Sequence, residues 1–276
     1  MKAINNNNSE RVQEFYNENT EKFLAVYGDI IQAFRTLNIT DYLSYTIKSA
    51  GILPGMKVLD AGCGVCGPAI YFAENILDIQ IDACTISDVQ FNMAKKNIAD
   101  KDLGNSITPH LLDYHTIASR FGNEAFDMIY FLESFGHSTS KMELIDACWK
   151  VLRPGGKLYI KDLFKRISND DWEQLRIDEI CTEINTAYEY DIPDLSSTLN
   201  ILRSVGLELR TVKVPEIEID QFEKLTISNT FQNLFNIGKI NGWDEYIFPI
   251  DFYELILTKP KDLKPKNMHL YSLNKP

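Results

Sequence analysis

Val58-Leu59-Asp60-Ala61-Gly62-Cys63-Gly64-Val65-Cys66-Gly67 is the stretch whose reading decides the fold. Val58 to Ala61 read as the end of a buried strand, the glycines as a tight turn, and Pro68 as the start of a helix. Glycine permits positive φ and lets a ligand reach main-chain amides without meeting a Cβ. The helix that follows points unpaired N–H groups at whatever lies above the turn. A flat, polar ligand is expected there.

Working outward, 276 residues suffice to bury one sizeable core, so one elaborated α/β domain is expected rather than two. A hydrophobic content of 45% with 11% aromatics suits a globular chain with rings to spare for a pocket. The net charge of −11 argues against nucleic acid or an anionic membrane as partner, because no basic field is available to neutralise phosphates. No signal peptide and no run of about 18 apolar residues is found. Five cysteines without disulfide-like spacing fit a reducing cytoplasm. Cys63-x-x-Cys66 has the form of a redox or metal motif, but it lies inside the glycine turn with no second Cys/His pair at ligand spacing. No metal site is expected from it.

Along the chain, residues 1–8 are polar and unpatterned. From Ser9 to Arg35 apolar residues recur at i, i+3 and i+4 (Val12, Phe15, Tyr16, Phe23, Tyr27, Ile30, Phe34), which predicts a helix. Asp41 to Ser49 predicts another, stopped by Gly51 and Pro54. After the glycine turn, strands are predicted at Ile79–Ile86, His110–Leu112, Phe126–Phe131 and Lys157–Leu163, alternating with helices at Ala69–Ile76, Ser87–Ala99 and Lys141–Val151. Arg153-Pro154-Gly155-Gly156 reads as a turn. This βαβ spacing implies a parallel sheet covered on both faces. Beyond it come a helix from Ser168 toward Tyr190, a helix at Leu195–Val205, a strand at Leu207–Val214, a helix at Phe222–Ile237 and a last strand at Phe252–Thr258.

An acid closing the first strand before Ala61-Gly62-Cys63-Gly64, followed later by Leu152-Arg-Pro-Gly-Gly-Lys-Leu158, resembles the class I S-adenosylmethionine (SAM) methyltransferases over about a hundred residues. Read loosely, Gly62-x-Gly64-x-x-Gly67 is also a dinucleotide fingerprint, with Asp82 about 20 residues on where that fingerprint wants an acid. A dinucleotide turn, however, usually has an apolar residue where this chain has Asp60. The resemblance implies a Rossmann-like α/β fold: a seven-stranded, mostly parallel sheet, helices on both faces, an antiparallel edge from the last two strands, and an added helical lid. It divides the single domain into a lid (1–50), a SAM-binding core (51–165), cover helices with the sixth strand (166–245), and a last strand with its tail (246–276).

The resemblance also implies where the cofactor sits. Asp60, Gly62 and Gly64 would hold the methionine part of SAM, and S-adenosylhomocysteine after reaction. The second strand departs from the family pattern, since Thr85 stands where an acid usually binds the ribose. Some natural-product and prenyl-diphosphate methyltransferases share this Thr-Ile-Ser-x-x-Gln form, in which Thr85 and Gln90 take those contacts. Asp82 lies three residues before Thr85 on a strand and should face the other way. Asp113 would accept the adenine amino hydrogens, with Tyr114 beside the ring.

For chemistry, Phe131-Leu132-Glu133-Ser134-Phe135-Gly136-His137 resembles small-molecule methyltransferases of the sterol, tocopherol, geranyl diphosphate and natural-product sugar types. Methylating an alkene carbon creates a carbocation, which Glu133 with Phe131, Phe135, Tyr16, Tyr27 or Trp243 could stabilise. Carbon methylation of an isoprenoid or other unsaturated skeleton is therefore the leading expectation. The alternative is O- or N-methylation with a His137–Asp162 pair as base; a catalytically silent SAM-binding regulator is a further class. In the sugar O-methyltransferases two adjacent His occupy the place of Gly136 and His137. Tyr16, Tyr27, Arg35 and Phe135 are candidate substrate contacts. Lys161, Lys165, Arg166 and Arg35 are candidate cations for a diphosphate, and Mg2+ is expected only with such a substrate. The partner expected is a small molecule, and a homo-oligomer is compatible with the sequence.

Overall fold

The computed structural model describes residues 5–31, 38–217 and 248–262. Its elements are α1 (Asn5–Tyr27), α2 (Ile39–Ala50), β1 (Lys57–Ala61), α3 (Gly67–Asn75), β2 (Gln80–Thr85), α4 (Asp88–Asp100), β3 (Ile107–Leu111), α5 (Ile117–Phe121), β4 (Phe126–Leu132), α6 (Lys141–Val151), β5 (Leu152–Lys165), α7 (Asp171–Tyr188), α8 (Leu195–Ser204), β6 (Glu208–Lys213) and β7 (Ile250–Thr258). The sheet order is β3-β2-β1-β4-β5-β7-β6. Strands β1 to β5 pair in parallel, while β7 runs antiparallel to both β5 and β6. This is the seven-stranded, mostly parallel Rossmann-like sheet that the sequence predicts.

Alternation along the strands splits the core into two layers. Val58, Met128 and Tyr130 face one side with Phe72 of α3 and Tyr42 of α2. Leu59, Ile129 and Phe131 face the other with Leu144 and Ile145 of α6. Each side chain buried this way contributes about 1.5–3 kcal/mol. Strand order reverses between β1 and β4, and in open parallel sheets ligands bind beyond the carboxyl ends at that point. The glycine turn leaves β1 there, and Glu133 leaves β4 beside it.

Two local expectations differ from the structure. The first helix stops at Tyr27 rather than Arg35, because Gly28 takes φ +64° and its N–H closes on Leu24 O, a left-handed helix stop. The Arg-Pro-Gly-Gly segment is drawn into β5, since Lys259 beyond β7 accepts from Gly155 N–H and donates to Gly156 O. The last two strands form the expected antiparallel edge, with β7 next to β5 and β6 outermost. The helix expected at 222–237, Trp243 and Arg35 fall outside the described residues. Among those described, no helix is long and apolar enough to cross a membrane.

Candidate active site

A cavity enclosing about 900 Å³, its mouth included, opens over the carboxyl ends of β1, β2 and β4. Its floor is the glycine turn. Gly62 takes φ +92°, and a Cβ there would lie 2.5 Å from Cβ of Ser134; Gly64 takes φ +54°, and a Cβ there would meet nothing within 4 Å. Gly62 is therefore required for close packing of β1 on β4, whereas Gly64 keeps backbone open toward the cavity. The turn is fixed from below: the N–H groups of Gly62 and Cys63 both donate to Cys84 O.

Asp60 is the anomaly of this floor. It is 3% exposed, and burial pushes its carboxyl up to about 7, partly offset by the Tyr130 phenol beside it. Among the described residues it has no cationic partner. A buried carboxylate without a counter-charge is costly unless something supplies one, and the α-ammonium of SAM is a group of that chemistry. Together with the open face at Gly64, this shows a donor and acceptor set that fits the methionine part of SAM.

The second wall comes from β2 and α4. Thr85 Oγ1 donates to Gln90 Oε1 (2.9 Å), and Ser87 caps α4 by accepting from Gln90 N–H. The lid helix fastens onto this wall. Ser9, Gln13 and Asn17 fall at i, i+4 and i+8 on one stripe of α1. Ser9 donates to Asp113 (2.9 Å), Gln13 to Asp88 (2.9 Å), and Asn17 accepts from Ser87 Oγ (2.6 Å). Burial raises Asp113, but the hydrogen bonds and charge of His115 outweigh it and hold the carboxyl below its ordinary value. Asp82 lies outside the cavity, bonded to His110 (2.7 Å) and facing Lys57 (3.5 Å). The acid a dinucleotide would need is thus committed elsewhere.

The third wall is the end of β4. Glu133 takes φ +55°, an uncommon conformation for a side-chain-bearing residue. Its N–H donates to Lys161 O, and its carboxylate pairs with Lys161 Nζ at 2.6 Å, both side chains being buried. Lys161 Nζ also reaches Tyr42 Oη at 2.7 Å. Next to this, Tyr16 Oη lies 2.6 Å from His137 Nε2, while His137 Nδ1 lies 3.0 Å from Glu189 O. The carbonyl can only accept, so Nδ1 carries the proton and Nε2 accepts from Tyr16. Burial pushes His137 down to about 4, so the ring is neutral at physiological pH.

The structure does not form the expected His137–Asp162 pair. Asp162 lies outside the cavity wall, accepting from Phe135 N–H (2.8 Å), Gly136 N–H (3.3 Å), Leu163 N–H (2.7 Å) and the Tyr190 hydroxyl. Gly136 explains the change of partner: a Cβ there would overlap the Tyr190 ring. The glycine makes room for a tyrosine that completes Asp162. Gly136→Ala should therefore destabilise the chain by about 1–3 kcal/mol through overpacking. Thermal unfolding checks this, with Gly136→Ala/Tyr190→Ala expected to be no less stable than Tyr190→Ala alone.

Of the residues singled out from sequence, Asp60, Gly62, Gly64, Thr85, Gln90, Asp113, Tyr114, Glu133, His137 and Tyr16 all line this one cavity. Phe135 does not: it is fully buried in the α6-side core, against Phe131. Tyr27 packs on Phe23 and is not among the described residues lining the cavity. The cations proposed for a diphosphate are committed as well, Lys161 to Glu133, Lys165 to Asp178 (3.1 Å) and Arg166 to Glu173 (2.6 Å). Among the described residues, the cavity wall holds no Lys or Arg, and no cluster of metal-ligating side chains is found. Sequence reading missed Asn17, Tyr42 and Tyr190, whose roles depend on contacts across the fold.

Residues 58–156 match the family described as methyltransferase domain. Methyltransferase GfsG of Streptomyces halstedii is 29% identical over 155 residues, covering 56% of this chain and 54% of GfsG. Phosphoethanolamine N-methyltransferase 1 of Zea mays is 27% identical over 214 residues, covering 71% of this chain and 39% of that protein. The chain thus spans about half or less of the length of these relatives. Among solved structures, geranyl diphosphate C-methyltransferase from Streptomyces coelicolor, in complex with Mg2+, geranyl diphosphate and S-adenosyl-L-homocysteine, superposes with a TM-score of 0.68. The match covers 91% of this chain and 97% of that one at 12% identity, which speaks to fold alone.

Proposed function

We propose that this chain, which carries a class I methyltransferase domain, transfers the methyl group of SAM to a hydroxyl or amine of a small molecule. SAM supplies, when bound, an electrophilic methyl on a sulfonium that an acceptor lone pair displaces. Asp60 would pair with its ammonium, the turn at Gly62 and Gly64 would receive its carboxylate end, Thr85 and Gln90 the ribose, and Asp113 with Tyr114 the adenine.

The observation that carries the choice of acceptor is the Tyr16–His137 pair. Tyr16 gives its proton to His137 Nε2, so its oxygen lone pairs can accept from an acceptor O–H or N–H in the cavity. As the acceptor becomes acidic on methylation, its proton passes to Tyr16 Oη while the Tyr16 proton passes to Nε2. Glu189 O steadies the ring through Nδ1–H. A weak base suffices, because the proton leaves a group already turning cationic. α1 thus both covers the cavity and supplies a reacting side chain.

A second reading, carbon methylation, is supported by Glu133, which lines the cavity within electrostatic reach of Tyr16. The Lys161 ion pair already offsets that charge, which makes Glu133 a weaker cation partner than the sequence alone suggests. Reaction with methyl-deuterated SAM and matched alcohols, amines and alkenes, read by mass spectrometry and NMR, separates the two. Label on oxygen or nitrogen is expected. Label on carbon alone would move the chemistry to Glu133, and no label despite SAM binding would remove the enzymatic reading.

A further inference from the structure

We propose that Tyr130 is a positioning residue for the cofactor, its buried hydroxyl donating to the Asp60 carboxylate from behind while that carboxylate faces the α-ammonium of SAM. This rests on the reading that the cavity holds SAM.

Tyr130 lies within β4, 1% exposed, and is not among the described residues lining the cavity. Its ring packs edge-on against Phe72 of α3, with centroids 5.6 Å apart. A phenylalanine would serve that packing equally well, so the hydroxyl needs a separate reason. Among the described residues it has no hydrogen-bond partner. Buried polar groups in folded proteins are paired with few exceptions, and each exception calls for a cause.

The cause lies one strand away. Tyr130 is the register partner of Asp60 where β4 runs parallel to β1, which puts both side chains on the same face of the sheet. Asp60 is the other uncompensated polar group of this region, buried without a cation among the described residues. The two act on one another. Burial raises the Asp60 carboxyl and the phenol lowers it. Burial, and then the Asp60 charge, push the phenol well above its ordinary value, so Tyr130 keeps its proton as a donor.

Two thiols also face Asp60, Cys63 of the glycine turn and Cys84 of β2. Contact with the Cys66 thiol and burial hold Cys63 protonated, and burial does the same for Cys84, so neither brings a charge. Tyr130 is thus the side chain that favours the ionised form of Asp60, the form an ammonium needs. In this geometry the phenol stops short of a hydrogen bond. An ammonium on the cavity side fixes the carboxylate, and the phenol closes on it from the sheet side.

The test uses the full chain with Tyr130→Phe, Asp60→Asn and the double variant. Calorimetry from pH 6 to 9 gives SAM affinity, and thermal unfolding without ligand gives stability over pH 5 to 9. In the wild type, SAM affinity should fall as pH drops through about 7, where Asp60 takes up its proton. Tyr130→Phe should move that midpoint up by about one pH unit, weakening SAM about fivefold at pH 7 and less than about twofold at pH 9. A purely structural role would weaken binding equally at every pH and leave the midpoint in place. Without ligand, Tyr130→Phe should melt no lower than wild type at pH 5, where its hydroxyl is unpaired, and lower at pH 9, where Asp60 is ionised without it. In the Asp60→Asn background, Tyr130→Phe should change the melt by the same amount at both pH values. If Tyr130→Phe fails to fold, Tyr130→3-fluorotyrosine, a stronger donor of nearly the same size, should move the midpoint down. An unmoved midpoint, or a loss of equal size at every pH, overturns the positioning role while leaving the methyltransferase reading intact. A wild type that binds no SAM overturns both.

Discussion

Asp60→Asn should weaken SAM binding by about 2–5 kcal/mol, on the order of 30- to 1,000-fold or more, while making the ligand-free chain more stable. The first half follows from removing the counter-charge for a buried ammonium. The second follows from linkage. Burial raises the Asp60 carboxyl from its ordinary value to about 7 in the fold, so the folded chain holds that proton more tightly than the unfolded one. Its contribution to stability is full below about pH 4 and is lost as pH rises through about 7. Asparagine carries no charge to bury, so the variant escapes that loss at pH 8. Melting temperature should rise by about 2–4 °C per kcal/mol recovered. Asp162, raised to about 6 by burial against the Tyr190 bond, gives wild type and variant the same trend and cancels in the comparison. Thermal unfolding at pH 5 and pH 8, with and without SAM, checks both halves. Added SAM should stabilise the wild type alone.

Tyr16→Phe should lower kcat by about 100-fold or more while leaving SAM affinity within a few-fold, since loss of a positioned proton acceptor typically costs 10²–10⁴. The ring stays, so its stacking on Phe23 (5.6 Å) and edge contact with His137 (5.1 Å) are kept. Steady-state kinetics and calorimetry on one preparation separate the two effects. The pH profiles should also split. kcat/KM for SAM reports the free protein and should fall below about pH 7, where Asp60 protonates and cannot pair with the ammonium. kcat should be flat through the ordinary histidine range, because His137 is pushed down to about 4 and is already neutral there. A kcat limb near 6.5 would show His137 to be exposed and the Tyr16–His137 geometry to be wrong.

The fold was legible because its signals are local. Val58 to Gly67 carries strand, turn and helix start within ten residues, and the continuous apolar run of β4 could belong only to a strand covered on both faces. The residues expected at the cofactor line one cavity for the same reason, since each lies at or a few residues beyond the end of a predicted strand. The chemistry was not, because its partners lie far apart in the chain. Tyr16 meets His137 across 121 residues, and Lys161 meets Tyr42 across 119. Periodicity places Tyr16 on an apolar face, and nothing in that pattern distinguishes a core ring from a hydroxyl aimed at a histidine. From sequence Glu133 reads as a carboxylate facing a carbocation and Lys161 as a cation for a diphosphate, and neither reading pairs one with the other. Only the sheet register shows that they neutralise one another. Gly136 was noticed as a missing histidine; its cause, the Tyr190 ring, is 54 positions along the chain.

The most direct measurement is a calorimetric titration of the wild-type chain with SAM and, in parallel, with NAD+ and NADP+, at pH 6 and pH 8. One SAM per chain is predicted, with affinity about tenfold weaker at pH 6 than at pH 8 as Asp60 takes up its proton, and with no binding of either dinucleotide. Dinucleotide binding without SAM, or SAM affinity independent of pH across this range, would contradict the assignment of the cavity and of Asp60 within it.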